Sequence, residues 1–348
     1  MLSPSYTGLF EAELSIISSA PDEKPDEKIE KPLTIESFIA EYSPKITAAL
    51  LNSVSKLENK DTIVKHISKG KMLRGKLSLL AYFAAGGNKE ADGLKIAAVS
   101  ELAQSASLLK DDIIDKDTIR RGAASAWVEQ GPLGAMNSAD MMIITGLDTL
   151  VDFGAALVKT FVGGWKTAWN GEANEFNAIQ GLENLQGPFY TFYLKTIRQK
   201  TASLFTTASK LGAQAATTDN SIVNTLALYA DNLGMAYQLT DDLCDMKLTK
   251  LSTIPKIGVA SLAQIEDVIK QGVIDAASGG KFNLGQLFVN ANIDAKAFYQ
   301  SQIDQFATQA MDMAKRAPNN KYKPLLEAFP RYCIQEMLSE NKLEKWWQ

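Results

Sequence analysis

Proline is almost absent from the middle of this chain. None stands between Pro44 and Pro132, and none between Pro188 and Pro255. A proline inside a helix costs about 3 kcal/mol, so stretches of this length without one permit long helices. The punctuation that remains reads as helix connections: GGNKEADG at 86–93, GPLG at 131–134 and TTDNS at 217–221. Between these marks apolar residues recur at three and four, as in Leu226, Tyr229, Leu233 and Tyr237, which is the helical period. Runs that alternate apolar and polar residues between turn pairs are scarce. The expected fold is all-α, a single-domain helical bundle of about ten helices over residues 33–348. Residues 1–32 are expected to form an N-terminal extension. Within it, 18–32 repeats PDEK and carries three prolines, the composition of a solvated linker.

Charge and ligand chemistry narrow the function. Lys plus Arg number 36 and Asp plus Glu 40, a net charge of -4. That balance excludes a general polyanion binder, so nucleic acid is not an expected partner, and any phosphate site must be local. The single histidine, His66, rules out a zinc site built from several histidines. Two cysteines, Cys244 and Cys333, are too few for a disulfide scaffold and indicate a reducing compartment. The most apolar stretch, Met141 to Val158, is interrupted by Asp148 and Asp152, so no transmembrane segment is expected. The first residues lack a basic region before an apolar run, and the expected location is cytoplasmic.

One short acidic motif occurs twice, as Asp111, Asp112, Asp115 and as Asp241, Asp242, Asp245. On a helix the first and last aspartates of each copy share a face. Each copy follows a strongly apolar stretch, 102–109 and 226–239. Aspartates clustered at the ends of buried helices repel one another and call for a neutralising partner. All-oxygen ligands favour a hard cation, and Mg²⁺ is the usual one where phosphate is present. Taken singly, either copy also reads as a solvated helix end. Basic residues form a second set: Gly70-Lys71-Met72-Leu73-Arg74, Arg120-Arg121-Gly122 and Lys200-Thr201. Metal-bridged phosphates with Arg and Lys clamps are a way to hold a polyphosphate. The residues alone therefore point to a helical, Mg²⁺-dependent site for one or two diphosphates.

The segments GKMLRG, ELAQSASLLKDDIIDKDTIRRG, KTASLF and YQLTDDLCD, in this order, resemble the trans-prenyltransferases. These are the isoprenyl diphosphate synthases, and the geranylgeranyl-forming members are the most similar. The resemblance implies a bundle of the isoprenoid synthase type with a central active-site cavity, and a homodimer. It implies that Asp111, Asp115 and Asp241 ligate three Mg²⁺ ions bridging to an allylic diphosphate, with Asp112, Asp242 and Asp245 supporting them. Arg120, Lys200 and Lys256 would also hold that diphosphate. Lys71, Arg74, Gln104 and Arg121 would hold isopentenyl diphosphate without metal. Thr201 and Gln238 would turn oxygens toward the developing carbocation.

The chain departs from the family pattern at three places. Met72 follows Gly70-Lys71 where arginine is common. Gly171-Glu172-Ala173-Asn174-Glu175 replaces a Gly-Gln-x-x-Asp. The loop at 255–261 lacks an aspartate and a second lysine. The resemblance also bears on product length. Ser107 and Ala106, four and five residues before Asp111, are small where aromatic residues would stop growth at about fifteen carbons, and Ala103 one turn earlier is small too. The implied reaction is head-to-tail 1'-4 condensation to geranylgeranyl diphosphate. The alternatives are a longer-chain synthase, a terpene cyclase and a regulatory subunit of a prenyltransferase.

Overall fold

The computed structural model describes residues 33–180, 189–245 and 295–343. The extension 1–32, Lys256 with its loop, and the last five residues lie outside that range. Helix α1 (Ile35–Val54) starts at a capping box in which Thr34 and Ser37 satisfy each other's backbone. Its buried residues Ile35, Phe38, Tyr42, Ile46, Leu50 and Val54 form one stripe at three- and four-residue spacing. Pro44 sits inside this helix on an exposed face, where water can take over the missing hydrogen bond.

Helices α2 (Lys60–Ile67), α3 (Leu73–Ala84) and α4 (Glu90–Ile114) follow. Every residue of α3 is buried, so this helix is a central strut rather than an amphipathic wall. It packs between α4 and α8. After a two-residue hairpin, β1 (Ile119–Arg120) with β2 (Ala123–Ala124), come α5 (Ala126–Val151) and α6 (Ala155–Gln180). The segment 131–134, expected as a connection, is instead a kink inside α5. Gly131 alone leaves the helical region, at φ 73°, and the helix resumes through Pro132, because proline is tolerated in the first turn of a new helical run.

Helix α7 (Phe189–Ile197) runs through a π-helical turn (Arg198–Ala202) into α8 (Ser203–Ala216). Then come α9 (Asn220–Asp245), α10 (Ala295–Ala314) and α11 (Lys323–Glu340). Leu226, Tyr229 and Leu233 are fully buried, as their spacing predicts. The Tyr229 hydroxyl donates to the Leu326 carbonyl at 2.9 Å, tying α9 to α11. Helix α9 also packs along α10 and α8, and α6 lies against α8. The hairpin is the sole strand structure among the described residues, so the all-α reading holds. No described helix is long and apolar enough to cross a membrane.

Candidate active site

Helices α4 and α9 both end at one cavity of about 860 Å³. Asp111 stands in the last turn of α4 and Asp115 caps it, while Asp241 and Asp242 stand in the last turn of α9. All four line the cavity. A helix C-terminus already carries partial negative charge, so each acidic cluster sits where the backbone disfavours it. Asp115 records the cost. Loss of water first, and the Asp111 carboxylate next, push its carboxyl up to about 6. Asp112, one residue on from Asp111 and so about 100° round the helix, is buried and accepts from Arg120 Nε at 2.7 Å.

The π-helical turn supplies the next two groups. Turns of this kind are rare and recur at functional sites. Here Lys200 and Thr201, adjacent in sequence, both line the cavity. Lys200 Nζ lies 3.2 Å from Asp111 and 2.8 Å from Glu172 of α6. Gly171 permits that approach, since a Cβ there would stand 2.7 Å from the Lys200 backbone nitrogen. The Thr201 hydroxyl donates to Gln238 Oε1 at 2.6 Å, and Gln238 Nε2 donates to Asp242 at 2.9 Å. The Tyr193 hydroxyl donates to the other Asp242 oxygen. Burial, then Asp242, hold the Tyr193 phenol well above its usual range, so it remains a proton donor.

A basic side of the cavity is built at two places where the backbone turns left-handed. Met72, at φ 54°, precedes α3 and sets Lys71 and Arg74 on its two sides. Arg121 and Gly122, at φ 52° and 72°, make the hairpin turn. Positive φ at both central residues is the signature of a type I′ turn, and glycine is the residue that takes it without strain. Arg74 is buried, with its guanidinium 4.3 Å from the centre of the Phe205 ring. Among the described residues, neither Arg74 Nε nor Gln104 Oε1 has a hydrogen-bond partner, although both residues line the cavity. An arginine stays charged under these conditions; buried Glu101, which also lines the cavity, acts on that charge, while the unmet Nε still favours an acceptor. This side is therefore prepared for an anion.

The structure brings Lys71, Arg74, Gln104, Asp111, Asp115, Arg120, Arg121, Lys200, Thr201, Gln238, Asp241 and Asp242 to this one cavity. Asp112 alone of the described candidates turns away from it. Asp245 ends α9, with its side chain outside the described residues, as is Lys256. His66 does not line the cavity. The chemistry of the acidic wall fits a hard cation, since its described donors are oxygens and no cysteine or histidine lines it. Among the described residues, no three His, Cys, Asp or Glu side chains form a group that could hold a metal ion. Sequence reasoning did not assign Tyr193, Trp169 or Glu340, all of which line the cavity. Glu172 carried a signal, an acid where glutamine is usual; the other three are brought in by tertiary packing.

The sequence matches the Polyprenyl synthetase family over residues 58–258. It is 27% identical over 240 residues to the geranylfarnesyl diphosphate synthase of Methanosarcina mazei, covering 66% of this chain and 79% of that one. It is 25% identical over 293 residues to the all-trans-nonaprenyl-diphosphate synthase (geranyl-diphosphate specific) of Rhodobacter capsulatus, covering 78% and 88%. The fold is similar to that of a decaprenyl diphosphate synthase from Rhodobacter capsulatus, with TM-score 0.72, 20% identity and coverage of 87% and 98%. The match spans the segment from α2 through α9, which contains every described candidate residue, and the chain belongs to the polyprenyl synthetase family of prenyltransferases.

Proposed function

We propose that this polyprenyl diphosphate synthase condenses isopentenyl diphosphate with an allylic diphosphate and releases geranylgeranyl diphosphate. The observation that carries the reading is a single cavity with two poles. One ends in four aspartates on two helix C-termini; the other holds a buried arginine and a glutamine with unpaired polar atoms. Two diphosphates recognised in different ways fit those poles.

Asp111, Asp115 and Asp241 would hold Mg²⁺ against the allylic diphosphate, with Asp242 as support. Bound there, the metal supplies charge stabilisation for a departing diphosphate. Lys200 stands beside Asp111 and meets the same leaving group. Asp112 sets the guanidinium of Arg120 rather than binding metal. Lys71, Arg74, Gln104 and Arg121 take isopentenyl diphosphate. The allylic carbon–oxygen bond breaks, and the double bond of isopentenyl diphosphate attacks the freed carbon. A proton then leaves the new cation, with the released diphosphate as acceptor. Thr201 and Gln238, linked to each other, turn oxygen dipoles toward the positive charge while it lasts.

Product length rests on Ser107. Of the three small residues on α4, it alone lines the cavity, as do its neighbour Leu108 and Ala168, Trp169 and Leu204 from other helices. Ala106 and Ala103 are packed into the core behind. A serine leaves the chain room to pass, and Trp169 bounds the space. We assign twenty carbons. Turnover with isopentenyl and allylic diphosphates, followed by chromatography of the dephosphorylated products, tests this directly. Ser107→Phe should yield shorter products, and an active variant with unchanged length would overturn the path.

A second copy of the chain is the expected partner. Leu133, Met136, Ile144 and Val151 of α5 and Val162 of α6 are exposed apolar residues, and such patches mark association surfaces. Light scattering that reports a monomer would overturn the homodimer.

A further inference from the structure

The last turn of α11 brings an acid to the basic pole. Glu340 Oε2 lies 2.7 Å from Lys71 Nζ, and both residues line the cavity. Three features show that this is a placed contact. The helix end is pinned by a Schellman motif, with Leu343 N–H donating to the Leu338 carbonyl at 2.8 Å and Lys342 N–H to the Ser339 carbonyl at 3.0 Å. Lys342 takes the left-handed conformation this motif requires, at φ 58°, without being glycine. Leu338 and Leu343 are both buried beneath the turn. Glu340 thus occupies a fixed position at a negative helix terminus, and α11 has no basic residue in its last turn to offset it. Its counter-charge comes from Lys71, across the cavity edge.

We propose that Glu340 is a built-in competitor for the second diphosphate: its carboxylate takes the place at Lys71 that isopentenyl diphosphate must claim. The inference rests on assigning Lys71 to that substrate. The contact sets an affinity. An incoming diphosphate carries more charge than one carboxylate and also reaches Arg74 and Arg121, so it displaces Glu340 rather than being excluded. While the place is empty of substrate, Glu340 keeps Lys71 paired. Glu340 touches no reacting atom, and its effect falls on KM for one substrate.

Steady-state kinetics of Glu340→Gln with both substrates varied, in the full chain, test the proposal. The pair is partly exposed, and pairs of this kind couple weakly. KM for isopentenyl diphosphate should therefore fall about two- to five-fold, with kcat and the allylic KM unmoved. In a Lys71→Met background, where KM for isopentenyl diphosphate is already raised, Glu340→Gln should add nothing. A KM that stays level or rises in Glu340→Gln overturns the proposal, since a residue that merely orients Lys71 would raise it. If Lys71→Met raises KM for isopentenyl diphosphate while Glu340→Gln does not lower it, the competitor falls and the site assignment stands. If Lys71→Met moves only the allylic KM, the assignment beneath it fails.

Discussion

The two ends of the cavity solve the same problem by opposite means. At the acidic end, Asp111, Asp115, Asp241 and Asp242 stand on helix termini that add negative charge of their own, and among the described residues Lys200 reaches Asp111 and Glu172. At the basic end, Arg74 is buried against aromatic rings near Glu101, and Glu340 pairs with Lys71. A diphosphate is an anion at both, yet the described lining is mainly carboxylate at one end and carries Lys71, Arg74 and Arg121 at the other. The ionising step belongs at the first, where charge stabilisation can grow as the leaving group departs. The second needs only to hold its substrate in place.

The largest effect should come from breaking the acidic end. Asp111→Ala removes a carboxylate from the metal site and should lower kcat by several orders of magnitude, since metal-held charge stabilisation is worth several kcal/mol. Excess chelator should abolish turnover, with recovery on adding Mg²⁺; full activity in chelator would dissolve the contrast. At the basic end the effect should be smaller and of another kind. Hydrogen bonds to charged groups are worth about 1.5–3 kcal/mol, so Arg74→Ala should raise KM for isopentenyl diphosphate by roughly 10- to 100-fold, with kcat changed far less. A rise in the allylic KM alone would exchange the two assignments.

The smallest effect is on stability. The folded Asp115 carboxyl, at about 6, lies above its ordinary value of 3.8. Its ionised form therefore opposes folding. The penalty is fully present above about pH 6 and disappears as pH falls through the unfolded value. Asp115→Asn should raise the Tm of the metal-free protein by about 1–2 °C at pH 8 and leave it unmoved near pH 3. It should also cost most of the activity. A lower Tm at pH 8 would mean that this end is not short of positive charge.

Much of this was legible in the sequence, and the exceptions share a cause. Proline spacing and the period of Leu226, Tyr229 and Leu233 indicate helices because both are local properties of the backbone. The paired aspartates and the Arg-Arg-Gly turn could be read because their chemistry is carried within five residues. Gly131 was misread because a glycine before a proline punctuates a chain equally well at a break and at a kink. Ala106 and Ser107 are alike as small neighbours in sequence, but a 100° turn of the helix puts one in the core and the other on the cavity. Tyr193 and Glu340 act on Asp242 and Lys71 across 49 and 269 positions of sequence, and no local pattern announces such a meeting.

The π-helical turn at Arg198–Ala202 makes the chemistry depend on residue count as well as residue type. A widened turn holds one residue more than an α-helical turn of the same height. Deleting a single residue there would leave every side chain's identity intact and rotate α7 by about 100° relative to α8. Tyr193 and Thr196 on one side and Lys200 and Thr201 on the other would then no longer face the same space. Among diverging copies of such a gene, point changes in this segment can be tested one at a time, whereas a change of length moves the whole face at once.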